Sequence, residues 1–111
     1  MSEKVRYPFG PADEKVLSAT GAQALTIVDG LTLIDGVTNI ATGARTLNLT
    51  LDADLQKGAK LVIRTKSTAV ESTVFGTGIT GTTYAGVAGK TITRTATFDG
   101  TEFKVDNEQI D

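Results

Sequence analysis

Two glycine-rich stretches carry residue types that bind phosphate groups in other proteins. Residues 76–81 read Gly-Thr-Gly-Ile-Thr-Gly and match the dinucleotide-binding spacing G-x-G-x-x-G, and residues 86–91 end in Gly-Lys-Thr like a phosphate-binding loop. Both kinds of site need a helix whose N-terminus faces the phosphate. Residues 82–89 are too rich in glycine and threonine for that helix, and Tyr84 stands where the phosphate loop needs its first glycine. The sequence therefore favours loop glycines over a nucleotide site.

The aspartates could supply oxygen ligands to calcium, because hard cations prefer carboxylate oxygens. Asp52 and Asp54 have the spacing D-x-D, but no glycine follows at the sixth position of such a loop and no glutamate at the twelfth. Asp29 and Asp35 each precede a glycine, which is typical of turns. A glycosidase-like pair of carboxylates would meet in space, and spacing in the sequence selects no such pair.

The chain contains no cysteine and no histidine. Thiolate nucleophiles, disulfides, the side chain that titrates nearest neutrality and the usual ligands of zinc, copper and iron are therefore missing. We predict that the protein is not an enzyme and that it has no catalytic, cofactor-binding or metal-binding residues.

Charge and hydropathy exclude further classes of partner. The 111 residues include 11 basic and 13 acidic side chains, for a net charge of -2. That balance creates no field to attract phosphate backbones or anionic lipid, so we expect neither nucleic acid nor a membrane as partner. No apolar run approaches the ~20 residues that cross a bilayer, and the first residues lack the apolar segment of a signal peptide. We expect synthesis in the cytoplasm.

The elements that hold these residues are predicted to be short strands. The 19 threonines are β-branched and suit a pleated surface. From Ala24 onward apolar and polar residues alternate in short segments bounded by Gly, Asp-Gly or Ser/Thr clusters. In residues 46–51 three leucines face one way, while Thr46, Asn48 and Thr50 face the other. We predict strands at 25–28, 31–34, 46–51, 60–65, 71–75, 91–98 and 101–105.

Two Asp-Gly signals bear on how these strands connect. Residues 25–36 read LTIVDG LTLIDG, the same hexapeptide pattern twice, and the pattern then decays. A hexapeptide coil would keep repeating, so strand-turn-strand is favoured over a coil. Asp99 and Gly100 separate two alternating segments, which predicts a hairpin with a type I′ turn. Residues 46–51 and 60–65 are expected to pair antiparallel or to cross between two sheets.

Together these patterns predict an all-β fold, a compact antiparallel β-sandwich or barrel-like domain with an extended N-terminal arm. The arm covers residues 1–22, the β domain residues 23–106 and a C-terminal tail residues 107–111. The arm is charged, contains both prolines and has no sustained period, so we expect it to order on a partner. Its candidate partner-docking residues are Tyr7, Pro8, Phe9 and Pro11.

Arg94 stands out inside the predicted strand 91–98. It shares a face with Ile92, Ala96 and Phe98. One interpretation is a partly buried charge at an interface, paired with a carboxylate of a neighbouring subunit. The other, which we favour, is a bulge or a stem that covers apolar surface while its head group reaches water.

The order of these strand signals resembles the small β modules of tailed-bacteriophage virion proteins. The resemblance is carried by residues 44–51, 58–63, 72–78 and 97–103, and it spans roughly residues 40–105. Such modules occur in capsid decoration proteins, head fibres and tail-associated proteins, commonly as trimers.

The resemblance implies a structural protein of the virion, in particular a capsid decoration or head-fibre-type accessory protein. Its partners would be the major capsid protein or other virion proteins, and it would form a homo-oligomer, expected to be a trimer. The alternative is a receptor- or carbohydrate-binding module of a tail fibre or adhesin. Sugar sites use exposed aromatic platforms, and Tyr84 in the glycine-rich loop is the candidate for one, or for an interface.

Overall fold

The computed structural model describes residues 13–81 and 84–110. These residues form ten strands and no helix. All seven predicted strands are present, although several are longer than predicted. The strands are β1 (Asp13–Val16), β2 (Gly21–Ile27), β3 (Leu31–Ala41), β4 (Arg45–Leu51), β5 (Lys60–Ser67), β6 (Ser72–Phe75), β7 (Ile79–Thr80), β8 (Tyr84–Ala85), β9 (Thr91–Phe98) and β10 (Phe103–Ile110).

The strands are arranged in two sheets. A six-stranded sheet has the order β1-β3-β5-β9-β10-β7, and a four-stranded sheet has the order β2-β4-β6-β8. The all-β class and the sandwich-like arrangement are confirmed. The prediction of an antiparallel fold is wrong in part, because five of the eight strand pairs are parallel. From β1 to β8 the chain changes sheet after every strand. Up to β6, each strand that returns to its sheet runs parallel to the strand before it in that sheet, whereas β8 is antiparallel to β6.

The first six strands stack as three coils, each with one strand in either sheet. Paired positions in successive coils are 19 to 29 residues apart, as for Asp13 opposite Thr32 and Leu31 opposite Lys60. The first hexapeptide ends β2 and supplies the turn after it, and the second begins β3. The chain does turn at Asp29 and Gly30, as strand-turn-strand predicts, but the two strands belong to different sheets and do not pair. Stacked coils are therefore present, with a repeat far longer than six residues.

The core lies between the sheets and is built from the inward side chains of both. Ile34, Leu61 and Ile63 of the six-stranded sheet meet Leu47 and Leu49 of the four-stranded sheet. Full burial of each such side chain is worth about 1.5–3 kcal/mol. The alternation that predicted these strands therefore also selects the residues that hold the two sheets together.

A buried arginine links the three coils. Arg45, the first residue of β4, has no exposed surface. Its Nη1 donates to the carbonyl oxygens of Asn39 (2.9 Å) and Ser18 (3.2 Å), and its Nη2 donates to those of Gly36 (3.1 Å) and Lys66 (3.5 Å). Burial lowers the pKa of Arg45, and the charge of Asp35 partly offsets that effect. The guanidinium therefore satisfies backbone acceptors from the first, second and third coils at once.

Strands extend beyond the predicted bounds of the β domain at both of its ends. Residues 13–22, assigned to the arm, contain β1 and the start of β2, and Leu17 is fully buried. β1 was not predicted from the sequence because three consecutive charged residues, Asp13, Glu14 and Lys15, interrupt the alternation of polar and apolar residues. Residues 107–110, assigned to the tail, continue β10 beyond a register shift between Val105 and Asn107, which breaks the period of two.

The Asp-Gly hairpin is confirmed, but its turn is not type I′. β9 and β10 pair antiparallel with Phe98 opposite Phe103, and their rings lie 5.3 Å apart. Gly100 has a φ of 103°, whereas no described residue other than glycine has a positive φ, so Asp99 does not adopt the conformation that type I′ requires. Instead, Asp99 Oδ1 accepts hydrogen bonds from the amides of Thr101 and Glu102. Those amide hydrogen bonds lower the pKa of Asp99.

The glycine run 76–81 serves close packing against β4. Gly78 has a φ of 78°, and a Cβ atom there would lie 2.7 Å from the carbonyl oxygen of Leu49. β7 lies within this run, and no helix N-terminus faces it within the described residues. Glycine is thus needed here for backbone approach.

Candidate functional site

The outer faces of the two sheets differ in charge. Lys60, Arg64, Lys66 and Asp106 lie on the outer face of the six-stranded sheet. Asp106 accepts hydrogen bonds from the hydroxyls of two outward threonines of β9, which lowers its pKa, and its carboxylate lies 3.9 Å from Lys60 Nζ. The outer face of the four-stranded sheet carries no charged side chain on β2, β4 or β6.

We call this second surface the uncharged face. Alternate residues of three parallel strands form it, because inward positions of the same strands are apolar or buried. Its members are small, and the register places Ala22 beside Thr46, Ala24 beside Asn48, and Thr26 beside Thr50. Ala22, Ala24, Thr26 and Thr50 are exposed. The full set is Ala22, Ala24, Thr26, Thr46, Asn48, Thr50, Ser72 and Val74.

Sequence reasoning found only part of this face. It placed Thr46, Asn48 and Thr50 together on the side of β4 that faces away from the leucines. It missed Ala22 because residues up to 22 were assigned to the arm, and it missed Ala24 because the predicted strand began at residue 25. The alternation of Gln23, Leu25 and Ile27 with smaller residues was the available signal.

A cleft of about 270 Å³ lies on the outer face of the six-stranded sheet, beside its β1 edge. Parallel register brings its residues together, since Glu14 of β1 lies opposite Leu33 of β3, and Asp35 of β3 lies opposite Arg64 of β5. The cleft has an apolar floor and a charged rim. Its lining residues are Glu14, Leu33, Asp35, Val37, Thr38 and Arg64.

Asp35 in this cleft is held as a carboxylate. Its Oδ2 accepts a hydrogen bond from the Thr38 hydroxyl (2.6 Å), and its Oδ1 accepts one from the Val37 amide (2.8 Å). The Thr38 hydroxyl, followed by the Val37 amide, lowers the pKa of Asp35, and the charge of Arg64 adds to the effect. A general acid needs a pKa near the working pH, so Asp35 is suited to charge recognition rather than to proton donation.

Arg94 is placed in the interior, with 1% of its surface exposed. Its Nη2 lies 3.1 Å from Glu108 Oε2, its Nε donates to the same oxygen at 3.2 Å, and its Cζ lies 5.8 Å from the centre of the Phe75 ring. The carboxylate beside it thus belongs to its own chain, in place of the neighbouring subunit's carboxylate that was considered. The head group does not reach water either, so the stem interpretation that we favoured is wrong.

The other predicted site residues are not brought together by the described part of the chain. Tyr7, Pro8, Phe9 and Pro11 lie outside the described residues. Tyr84 belongs to β8 and pairs with Thr73 of β6, but the predicted role of its ring falls outside what the structure describes.

Two kinds of feature, a cluster of metal-binding side chains and a membrane-spanning helix, are absent from the described residues. Residues 13–81 and 84–110 include no group of three or more Asp or Glu side chains placed to hold a metal ion. The same residues contain no helix with the length and apolar character needed to cross a bilayer.

Comparisons with protein-family models, with curated proteins and with solved structures found no match for this chain.

Proposed function

We propose that this chain is a structural protein of a bacteriophage virion, a capsid decoration or head-fibre-type accessory protein. The observation that carries the proposal is the uncharged face, which spans three strands of the four-stranded sheet. The centre of a protein interface is typically depleted of charge, because ionised groups lose hydration when they are buried there. The resemblance of strand signals to phage β modules supports a virion as the assembly.

The partner in this proposal is the major capsid protein or another virion protein. A flat surface of alanine, threonine and asparagine allows another backbone to approach closely, and its hydroxyl and amide groups can hydrogen-bond without a charged partner. The charged outer face of the six-stranded sheet would then face solvent. A homo-oligomer on the particle is part of the proposal, and the resemblance implies a trimer.

Co-sedimentation with purified particles of the virus that encodes the chain tests this function. Thr50→Glu places a charge on the central strand of the uncharged face, whereas Thr93→Glu places the same charge on the outer face of the six-stranded sheet, opposite Arg64. We expect Thr50→Glu to reduce binding and Thr93→Glu to leave it unchanged. Absence of the wild-type chain from gradient-purified particles would reject the proposal.

The arm can be tested separately by deleting residues 1–12. A longer deletion, to residue 20, would also remove β1 and the buried Leu17, so it would test folding instead of docking. We propose that the shorter deletion leaves a folded domain with weaker particle binding, because Tyr7, Pro8, Phe9 and Pro11 are the predicted docking residues. Unchanged binding would remove the arm from the mechanism.

The cleft supports a second candidate, a carbohydrate- or receptor-binding module. Two carboxylates and a guanidinium around an apolar floor can hydrogen-bond several hydroxyl groups of a small polar ligand. A glycan array with the wild-type chain and with Arg64→Ala tests it, and Tyr84→Ala tests the predicted aromatic platform. Binding that survives both substitutions, or no binding by the wild type, would reject this candidate.

A further inference from the structure

The open edges of the two sheets are unequal. Edge strands usually carry charges, bulges or very short segments, because their free backbone groups would otherwise pair with other chains. β1 carries Asp13, Glu14 and Lys15 in four residues, and β7 and β8 are two residues long. β10, which extends beyond β7, has a register shift and carries Asp106 and Glu108. β2 has seven residues with no charge, no proline and no register shift.

The backbone of β2 is directed outward at alternate residues. The Gly21 amide donates to the Ala44 carbonyl, and the Ile27 carbonyl accepts from the Asp52 amide, so the odd-numbered residues bond to β4 and its continuation. In a regular strand the intervening residues point their N–H and C=O groups the other way. Those residues are Ala22, Ala24 and Thr26. β4 is the only strand beside β2 within residues 13–81 and 84–110.

We propose that β2 pairs with β2 of a second copy of this chain, antiparallel and about a twofold axis at Ala24. This register places Ala24 opposite Ala24 and Ala22 opposite Thr26 in both directions. Each of these residue pairs exchanges two backbone hydrogen bonds, which satisfies every outward group of Ala22, Ala24 and Thr26. Centring on residue 24 also matches the full length of β2, from Gly21 opposite Ile27 to Ile27 opposite Gly21.

A second copy fits this edge because β2 complements itself. The side chains that meet across the axis are small and uncharged, so they bring neither a clash nor like-charge repulsion. The pairing uses the same edge of both copies and leaves no second β2 edge free, so it closes as a dimer. It differs in this respect from the trimer that the resemblance implies. It also joins the uncharged faces of two copies into one continuous surface.

The charge-swap experiment follows from the position of Ala24 on the axis. Ala24→Lys and Ala24→Glu each place two like charges opposite each other, so we expect each purified variant to dimerise roughly tenfold more weakly than wild type. A mixture of the two variants should form a heterodimer, because opposite charges then meet. Sedimentation analysis of the full chain over a concentration series measures both effects.

Thr50→Glu provides the matched control. Thr50 lies on the same face but on β4, whose strand has β2 and β6 on either side. Because β4 is not an edge strand, the Thr50→Glu substitution should leave dimerisation unchanged. Because these measurements use the purified chain alone, their outcome is independent of whether the chain binds a virus particle.

Amide hydrogen exchange of the wild-type chain tests the same pairing without any substitution. The amides of Ala22, Ala24 and Thr26 should become protected as the concentration rises and the dimer forms. A trimer, a dimer that both Ala24 variants retain, or a monomer in which these amides exchange freely at every concentration would overturn the proposal. So would a monomer with slow exchange at all concentrations, since a segment of the same chain would then cover the edge.

Discussion

The two Asp-Gly pairs of the repeated hexapeptide have different structural roles. Asp29 and Gly30 form an exposed corner between β2 and β3, and a Cβ atom on Gly30 would meet nothing within 4 Å. Asp35 and Gly36 lie inside β3. A Cβ atom on Gly36 would lie 2.9 Å from Arg45 Nη2, 3.0 Å from the Arg64 carbonyl oxygen and 3.1 Å from a methyl group of Thr65.

This comparison shows that the same local signal can mark a turn or a packing site. The first Asp-Gly pair only has to turn the chain as it passes from one sheet to the other. The second allows a buried guanidinium to reach the backbone. Asp35 accepts hydrogen bonds from the amides of Val37 and Thr38, in the stretch where β3 shifts register against β5. Arg45 decides which Asp-Gly pair is a turn and which is a packing site. Because Arg45 belongs to the next strand, neither hexapeptide contains the information that separates the two roles.

Replacing Arg45 should have the largest effect on this comparison. Arg45→Met keeps much of the side-chain volume but leaves the carbonyl oxygens of Ser18, Gly36 and Asn39 without their buried donor. We expect the free energy of unfolding to fall by roughly 3–5 kcal/mol. Urea denaturation followed by circular dichroism measures it. A loss below about 1 kcal/mol would mean that water replaces the guanidinium.

Alanine substitutions at the two glycines should give the next largest difference in the free energy of unfolding. Gly36→Ala must displace the guanidinium or the backbone of β5, and overpacking of this kind costs about 1–3 kcal/mol. Gly30→Ala meets open space and has no positive φ to strain, so it should stay within about 0.5 kcal/mol of wild type. Paired urea denaturation curves compare them. Equal effects would refute the distinction between corner and packing site.

A double-mutant cycle then asks whether Arg45 is the cause of that contrast. In an Arg45→Ala background the space beside Gly36 is no longer filled by the guanidinium, so Gly36→Ala should cost about 1 kcal/mol less than in wild type. The contacts to the Arg64 carbonyl and Thr65 remain, and the cost should not disappear. Additive effects would assign the whole cost of Gly36→Ala to β5.

The smallest expected effect concerns the two aspartates. Asp35→Ala removes hydrogen bonds to Val37 and Thr38 and should cost about 1 kcal/mol at pH 7, whereas Asp29→Ala at the exposed corner should be close to neutral.

The contribution of Asp35 should also depend on pH. Its folded-state pKa lies below the ordinary value of 3.8, so the stabilisation is complete above that value and is lost as the pH falls through the folded-state pKa. Denaturation of wild type and Asp35→Ala at pH 7 and pH 3 compares their stabilities. A difference that grows on acidification would contradict the assignment.

Local patterns predicted the strands well but not their partners. The leucines of β4 and the alternation in β9 placed both strands correctly, because inward and outward positions depend only on the local period. Pairing depends on where the chain returns after a crossover, and no residue of β2 or β3 specifies that its neighbour lies 24 or more residues ahead, as Gly21 is opposite Arg45. β1 and the end of β10 were missed because charges and a bulge interrupt the same local period.

The candidate surfaces were predicted only in part for a related reason. The polar side of β4 was visible in the sequence, but the uncharged face needs β2 beside β4, and the cleft needs β1 beside β3. The buried positions of Arg45 and Arg94 were not predicted. A residue's position in a strand does not show whether other strands supply hydrogen-bond acceptors for it, such as the Gly36 carbonyl for Arg45 and Glu108 for Arg94.

The alternation of the chain between two sheets bears on how the protein acquires its structure. The hairpin of β9 and β10 is the only pairing between strands that are consecutive in sequence within the described residues, so it can form as soon as those strands exist. Every other ladder must wait for a distant segment, and closing such loops precedes any gain from contacts. In the order of folding, the β9–β10 hairpin therefore has the shortest loop to close, whereas β1 and β2 cannot pair until β3 and β4 have returned to their sheets.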